Sequence, residues 1–378
     1  MVNPLQALHD HDQSFWVDYI DRELVSSGGI QRLINEDGLR GLTSNPSIFQ
    51  AAISGSDDYD EDIRAVIAAD TNWNTKRVYE ALAVKDIRAA ADALRPIHEE
   101  SNERDGFVSL EVSPHLARDT AGTLSEARWL WGVVDRPNLM IKVPATAEGL
   151  PAIEELIASD INVNVTLIFS VADHYEGAAQ AYIRGVERNP DPRRIASVAS
   201  FFVSRVDTAI DAKLEGNGSP DALDLRGRAA VANGKQAYAR FQELFKSGRF
   251  ERQRARGARP QRVLWGSTST KNPDYRDVLY VEALIGPETV NTIPPKTVDA
   301  FRDHGAVRTT LTSGLPEAND VLRRIGELGV DMAGVTSKLQ LDGVEAFTSA
   351  FDQLLTALTA KLEIISPPEA TRAASGTN

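Results

Sequence analysis

Short runs of apolar and β-branched residues recur along the chain, each followed by a turn and then by a longer segment with helical spacing of its apolar positions. These runs predict strands at residues 14–20, 39–45, 106–112, 138–144, 162–169, 195–203, 262–267 and 289–294. Between them, apolar residues three or four positions apart predict helices, most clearly over 75–97. Strands that alternate with helices pair in parallel. The pattern therefore predicts an α/β protein with a parallel sheet.

Eight strand-helix units favour a (β/α)₈ TIM barrel over an open doubly wound sheet, because no GxGxxG motif follows the first strand. Two long intervals require additional helices, for which the segments 56–70 and 221–248 have suitable spacing. We assign residues 1–366 to a single catalytic barrel domain. The polar end of the chain, 367–378, is predicted to be a disordered tail.

Composition narrows the class of protein. The 378-residue chain carries a net charge of −13, which argues against a nucleic-acid partner and favours a cytoplasmic protein. It has no cysteine, and its six histidines show no metal-ligand spacing, so we expect no metal. No apolar run is long enough to span a membrane, and no signal segment is present. The basic run at 249–262 is interpreted as a solvated connector into the seventh strand rather than as a polyanion site.

One lysine lies inside an apolar strand. Lys142 is flanked by Ile141 and Val143 in "NLMIKVP". An amine is costly to desolvate unless it is paired or neutral, so Lys142 either reaches out to solvent or is kept uncharged for a chemical purpose.

Other polar residues also end the predicted strands, where the catalytic groups of such barrels lie. They are Asp18, Asn45, Glu111, Asn164 with Thr166, Ser200 and Ser267. Each has an ordinary alternative explanation. Asp18 could cap a helix, Asn45 before a proline could start a turn, and Glu111 could face outward or be buried with a partner. Their convergence on one space is a stronger signal than any single residue.

The chemistry suggested by these residues begins with the lysine. A desolvated, neutral lysine attacks a ketone or aldehyde to form a Schiff base, which acts as an electron sink for cleavage of the adjacent carbon–carbon bond. The proton transfers require carboxylates such as Asp18 and Glu111. Amides and hydroxyls suit a polyol substrate. Arg205 after the sixth strand, and Lys271 with its neighbouring hydroxyls after the seventh, are candidates for binding phosphate.

Four motifs resemble those of the transaldolase family. "WVDYIDREL", "GLTSNPSIFQ", "IKVPAT" and "NVNVTLIFS" occur in the family's order, and "WGSTSTKNPDY" and "NTIPPKTVDAFRDHG" resemble its longer bacterial subfamily. The chain departs from the family pattern at "STSTKN", where Lys271 stands in place of a frequent arginine.

The resemblance implies transfer of a dihydroxyacetone unit from sedoheptulose 7-phosphate to glyceraldehyde 3-phosphate, giving erythrose 4-phosphate and fructose 6-phosphate in the pentose phosphate pathway, without a cofactor. It implies that Lys142 forms the imine, that Asp18 rather than Asp21 is the acid/base, and that Glu111 with Thr166 positions a catalytic water. The remaining implied roles are substrate binding by Asn45, Asn164 and Ser200 and phosphate binding by Arg205.

Other functions stay open at this point. An aldolase of the fructose-6-phosphate type, which releases free dihydroxyacetone, would share the lysine chemistry. A barrel that binds sugar phosphates without turning them over would not need Lys142, Glu111 and Asp18 together. A metal-dependent isomerase is disfavoured by the lack of a ligand cluster. The sequence does not fix the oligomeric state, and a homodimer is left open.

Overall fold

Eight parallel strands close into a barrel in sequence order in the computed structural model, which describes residues 3–69 and 72–365. The strands are β1 (Gln13–Asp18), β2 (Gly41–Thr43), β3 (Phe107–Glu111), β4 (Leu139–Pro144), β5 (Val163–Ile168), β6 (Ser197–Phe202), β7 (Arg262–Gly266) and β8 (Thr289–Ile293). Strand β8 pairs with β1 and closes the ring. The prediction of a (β/α)₈ barrel is confirmed.

Every predicted strand is present, most of them shortened by a residue or more at one end or both. The largest difference is at β2, which covers three of the seven predicted residues. Its predicted end is not strand because the Asn45 side chain accepts a hydrogen bond from the backbone N–H of Ile48 and so begins a helix at Pro46.

Helices surround the barrel and fill the long connections. Those before β4 are α1 (Pro4–Ala7), α2 (Arg22–Ser26), α3 (Gly29–Asp37), α4 (Pro46–Ser54), α5 (Asp60–Ala69), α6 (Thr75–Glu100) and α7 (Thr120–Val134). Those between β4 and β7 are α8 (Gly149–Ala158), α9 (Glu176–Arg188), α10 (Ser204–Asn217), α11 (Pro220–Asp224), α12 (Ala229–Phe245) and α13 (Gly248–Arg254). The last are α14 (Leu279–Ala283), α15 (Pro295–His304), α16 (Leu315–Glu327) and α17 (Met332–Ile365).

The additional helices occur where the long intervals predicted them. Helices α4 and α5 precede the long α6, and the segment 221–248 contains α11 and α12. The interruption between these two includes Gly227, whose φ of +69° is readily adopted only by glycine. The predicted tail, 367–378, lies outside the described residues.

Strand alternation determines what fills the barrel. Along each strand every second side chain points inward, and the inward positions in the lower half form a separate apolar cluster. Its members are Trp16, Phe107, Met140, Ala196, Val198, Leu264 and Val290. Trp16 occupies so much of this space that a β-carbon at Gly41 would overlap its ring. Above this cluster, the inward positions nearer the carboxyl ends of the strands are open to polar side chains.

Below this cluster, a buried ion pair closes the amino-terminal end of the barrel. Arg262 Nη2 lies 2.8 Å from Asp105 Oδ1, and both side chains are less than a tenth exposed. Ser14 completes the group by donating to Asp105 Oδ2 and accepting from Arg262 Nη1, each at 2.8 Å. The interpretation of residues 249–262 as a wholly solvated connector is therefore wrong at Arg262, which is the first residue of β7.

The remaining arginines of that run are largely engaged by the protein. Arg249 pairs with Glu187, Arg256 donates to the backbone carbonyls of Val186 and Asn189, and Arg259 donates to the carbonyl of Glu103. These contacts fasten the segment to neighbouring loops and helices, which leaves little free charge for a polyanion.

No helix within residues 3–69 and 72–365 combines the length and the apolar character needed to cross a bilayer. Nor do the described residues group three or more His, Asp or Glu side chains in a way that could hold a metal ion.

We expect Arg262→Met to lower the free energy of unfolding by about 3–5 kcal/mol, because it leaves Asp105 buried without its cation. Arg249→Met, which breaks the exposed pair with Glu187, is the matched control and should cost about 0.2–1 kcal/mol. Urea denaturation followed by circular dichroism measures both. Equal losses in the two variants would contradict a structural role for the buried pair.

Candidate active site

Lys142 points into the barrel. It is two residues beyond Met140 on β4, so strand alternation places both side chains on the inner face. Lys142 is only 4% exposed, and its Nζ donates a hydrogen bond to the backbone carbonyl of Ser44 at 3.1 Å. The lysine therefore does not reach out to solvent.

Glu111 is the charged partner of this lysine. The two residues are paired in register across β3 and β4, and Glu111 Oε2 lies 3.4 Å from Lys142 Nζ. Both side chains are about 95% buried. Burial raises the pKa of Glu111 to about 7, although the charge of Lys142 opposes this rise. The carboxyl group can thus exchange a proton near neutral pH.

Asp18 ends β1 at the same mouth. Its Oδ1 accepts a hydrogen bond from Thr43 Oγ1 at 2.7 Å. Desolvation raises the pKa of Asp18, against the opposing effects of Lys142, the Thr43 hydrogen bond and Lys271. Asp21, the other candidate, instead caps α2 by accepting from the backbone N–H of Leu24. The residue that caps this helix is therefore Asp21 and not Asp18.

A chain of polar side chains continues the site across β3, β5 and β6. Asn164 lies beside Lys142 in register, donates to Ser109 Oγ at 3.0 Å and accepts from Ser200 Oγ at 2.6 Å. These contacts fix the orientation of the Asn164 amide. Thr166, one inward position further along β5, has a buried hydroxyl with no hydrogen-bond partner among the described residues. Such a hydroxyl is available to a bound water or substrate.

Asn45 has a local role that its sequence context predicted. Its side-chain oxygen caps α4 through the 3.0 Å hydrogen bond from Ile48 N. The same cap fixes the backbone next to Ser44, whose carbonyl binds Lys142.

Arg205 lies in the first turn of α10, beyond the end of β6. Its guanidinium carbon is 5.5 Å from the centre of the Phe202 ring, and among the described residues it has no ion-pair partner. Burial lowers its pKa. Ser267, after β7, shares a 2.9 Å hydrogen bond with Ser204, which joins the ends of β6 and β7 beside Arg205.

Lys271 is more exposed than the other candidates. Its Nζ donates to Ser269 Oγ at 2.6 Å, and its charge lowers the pKa of Asp18. The loop after β7 thus brings this cation within electrostatic reach of the barrel mouth.

Helix α17 contributes residues that the sequence reasoning did not find. Phe347 places its ring centre 5.7 Å from Lys142 Nζ. Gln340 donates to the carbonyls of Ala145 and Leu167, at the ends of β4 and β5. No sequence motif around Phe347 signals this position, because the contact depends on the path of α17 across the mouth.

Thr43, Ser44 and Ser109 were also missed as individual site residues. Thr43 and Ser44 stand in "GLTSNPSIFQ", and Ser109 is two positions before Glu111, on the same face of β3. Alternation from Glu111 could have identified Ser109.

The fold and this site together define the class of protein to which the chain belongs. A closed parallel barrel with a lysine and two carboxyl groups at the carboxyl ends of its strands is an enzyme of the (β/α)₈-barrel type.

Comparison with known proteins narrows the class to a family. The family model described as Transaldolase/Fructose-6-phosphate aldolase matches residues 15–358. A transaldolase of Thiobacillus denitrificans is 49% identical over 347 residues, which cover 91% of this chain and 96% of that protein. Transaldolases of Parafrankia sp. and Mycobacterium marinum are each 46% identical, covering 96% of this chain and 99% and 98% of theirs. The chain belongs to the transaldolase/fructose-6-phosphate aldolase family, and the predictions of this family and of a transferase are confirmed.

We expect Glu111 to reduce the stability of the fold as the pH rises. The folded protein holds the Glu111 proton to about pH 7, whereas the unfolded chain releases it near 4.5, so the folded state binds more protons in this window and loses stability across it. Glu111→Gln lacks this loss. The free energy of unfolding of Glu111→Gln minus that of the native protein should therefore increase by on the order of 3 kcal/mol between pH 4.5 and about pH 7. Urea titrations across the window measure the difference, and parallel pH curves would contradict it.

Proposed function

We propose that this protein is a transaldolase that moves a dihydroxyacetone unit between sugar phosphates through a Schiff base on Lys142. The supporting observation is the buried Lys142–Glu111 pair in a chain of the transaldolase family. The donor and acceptor would be sedoheptulose 7-phosphate and glyceraldehyde 3-phosphate, and the products erythrose 4-phosphate and fructose 6-phosphate. We further propose that the enzyme works in the cytoplasm without metal or cofactor.

The first task of the site is to make the Lys142 amine nucleophilic. An ammonium group cannot attack a carbonyl, so it must first lose a proton. Glu111 is 3.4 Å away, with a pKa of about 7 that suits it to accept that proton near neutral pH. Attack on the ketone carbon then forms a carbinolamine, and loss of water gives the imine. The free hydroxyl of Thr166 is suited to hold that water with Glu111.

The second task is cleavage of the carbon–carbon bond. The protonated imine accepts the bonding electrons once a base removes the proton of the substrate hydroxyl beyond the bond. Asp18 is a suitable base because it lies at the same mouth and is positioned by Thr43. The aldehyde product leaves, and the three-carbon unit stays on Lys142 until an acceptor aldehyde reverses the steps.

The remaining polar groups are suited to hold the substrate. Asn164 and Ser200 form a hydrogen-bonded pair for the hydroxyls of the dihydroxyacetone unit, and Asn45, which follows β2 and caps α4, is a further candidate for binding them. The Arg205 guanidinium, which has no ion-pair partner among the described residues, is suited to bind a phosphate group, and Ser267 and Lys271 lie in the adjoining loop.

An aldolase that releases free dihydroxyacetone is the second candidate, since the matching family model includes fructose-6-phosphate aldolase. Transfer is favoured because the relatives named above are transaldolases at high coverage of both chains.

We expect borohydride reduction in the presence of fructose 6-phosphate to attach the three-carbon unit to Lys142 and to no other residue. Peptide mass mapping locates the adduct. It should be absent in Lys142→Ala and present in Lys338→Ala, a control that removes an exposed lysine paired with Asp342. Native protein without an adduct would overturn the Schiff-base proposal and favour a barrel that only binds sugar phosphates.

We expect Arg205→Gln to raise the KM for fructose 6-phosphate about tenfold to a hundredfold with a smaller change in kcat, because charge-assisted hydrogen bonds to phosphate are lost. Lys271→Gln removes an exposed point charge and should raise KM by a smaller factor. Steady-state kinetics of both variants give the comparison. A KM unchanged in Arg205→Gln would contradict phosphate binding at this residue.

A further inference from the structure

We propose that Tyr275 is a positioning residue, which holds the loop after β7 against α10 so that Lys271 and Arg205 face the same phosphate group. This inference rests on the proposed binding of sugar phosphates. It assigns Tyr275 a role that is exerted through Lys271 and not through contact with the substrate.

The Tyr275 side chain is anchored to a buried carboxylate. Its hydroxyl donates to Asp211 Oδ2 at 2.7 Å, and Asp211 Oδ1 accepts from the backbone N–H of Gly227 at 2.9 Å. Asp211 is a buried residue of α10. Because each carboxylate oxygen has its own donor in the protein, the orientation of Asp211 is fixed, and the tyrosine is held by a charge-assisted hydrogen bond.

The Tyr275 ring also packs closely on the backbone at Gly227. A β-carbon at Gly227 would lie 2.9 Å from the Cζ atom of the ring, so this position accommodates the tyrosine only as glycine. Phenylalanine at position 275 would keep the packing of the ring and would lose only the hydrogen bond to Asp211. A single substitution can therefore remove the anchor alone.

The loop between β7 and α14, residues 267–278, is attached to α10 at two points. At its start, the carbonyl of Ser267 accepts from the backbone N–H of Ser204 at 3.0 Å. Towards its end, Tyr275 binds Asp211. Arg205 follows Ser204 in the first turn of the same helix. One helix thus carries Arg205 and fixes both ends of the loop that carries Lys271.

Lys271 lies between the two points of attachment. The loop is closed on itself by Thr270 Oγ1, which donates to the carbonyls of Arg276 at 3.0 Å and Asp277 at 3.2 Å. Burial raises the pKa of Asp18, and the charge of Lys271 is near enough to oppose that rise. The attached loop therefore holds Lys271 within reach of the barrel mouth.

The expected effect is on affinity for the phosphate group. An exposed lysine loses conformational freedom when it binds an anion, and a loop that is already held in place reduces this cost. Loss of the Tyr275 hydroxyl would free one end of the loop and raise the cost. The steps at Lys142 would be unaffected, so the change belongs in KM and not in kcat.

Steady-state kinetics with fructose 6-phosphate test this role in a double-mutant cycle. Tyr275→Phe and Lys271→Gln should each raise KM about threefold with little change in kcat. The double variant should have the KM of Lys271→Gln, because the anchor acts only through the cation. A general structural defect would instead multiply the two factors.

Tyr59→Phe provides the matched control. The Tyr59 hydroxyl donates to the buried carboxylate of Asp86 at 3.0 Å, so this variant also breaks a tyrosine–aspartate hydrogen bond, but away from the loop. Its KM should equal that of the native protein. Because KM does not depend on the concentration of active enzyme, partial unfolding of a preparation does not imitate the predicted change.

Borohydride trapping on the native protein separates this inference from the proposed function. Absence of an adduct overturns the Schiff-base function and this inference with it. When the adduct forms, an unchanged KM in Tyr275→Phe or in Lys271→Gln overturns the role of Tyr275 alone. A double variant whose KM rises by the product of the two single factors does the same.

Discussion

The site depends on burying one positive charge against one negative charge at the end of an otherwise apolar barrel. Neither Lys142 nor Glu111 could be buried cheaply without the other, and at 3.4 Å their charges offset part of the desolvation. The same desolvation raises the pKa of Glu111 to about 7. A carboxyl group with this pKa can take up and release a proton near neutral pH, which is the property that proton transfer to and from the amine requires.

The rest of the barrel supports this pair in layers. An ion pair between Arg262 and Asp105 closes the bottom, an apolar layer around Trp16 fills the middle, and the polar side chains of the candidate site lie above it. The apolar layer separates the two charged groups. The Arg262–Asp105 pair is thus separate from the Lys142–Glu111 pair. It stabilises the fold and takes no part in the chemistry proposed above.

Much of this arrangement could be predicted from sequence because it follows from strand alternation. A strand predicted at 138–144 left two directions for the Lys142 side chain, and the predicted barrel brought the polar strand ends to one space. The register that sets Glu111 and Asn164 directly beside Lys142 is known only from the structure. Strand limits were less predictable. The end of β2 depends on the cap formed by Asn45, because this cap begins a helix at Pro46 where strand pairing would otherwise continue.

Long-range contacts could not be predicted in this way. Phe347 lies near Lys142 because α17 crosses the mouth of the barrel, and no local sequence pattern indicates where a helix will cross a barrel. Arg262 was included in a solvated connector because the chain as a whole is acidic, whereas its position at the start of β7 buries it. In both cases the deciding interaction lies between residues far apart in the chain.

The order of the elements has a consequence for how the enzyme comes into being. All eight strands are complete by Ile293, whereas α17 starts at Met332. During synthesis from the amino terminus, the barrel and its lysine are therefore made before the helix that covers them. Enclosure of the amine therefore depends on a helix that is made after all eight strands of the barrel.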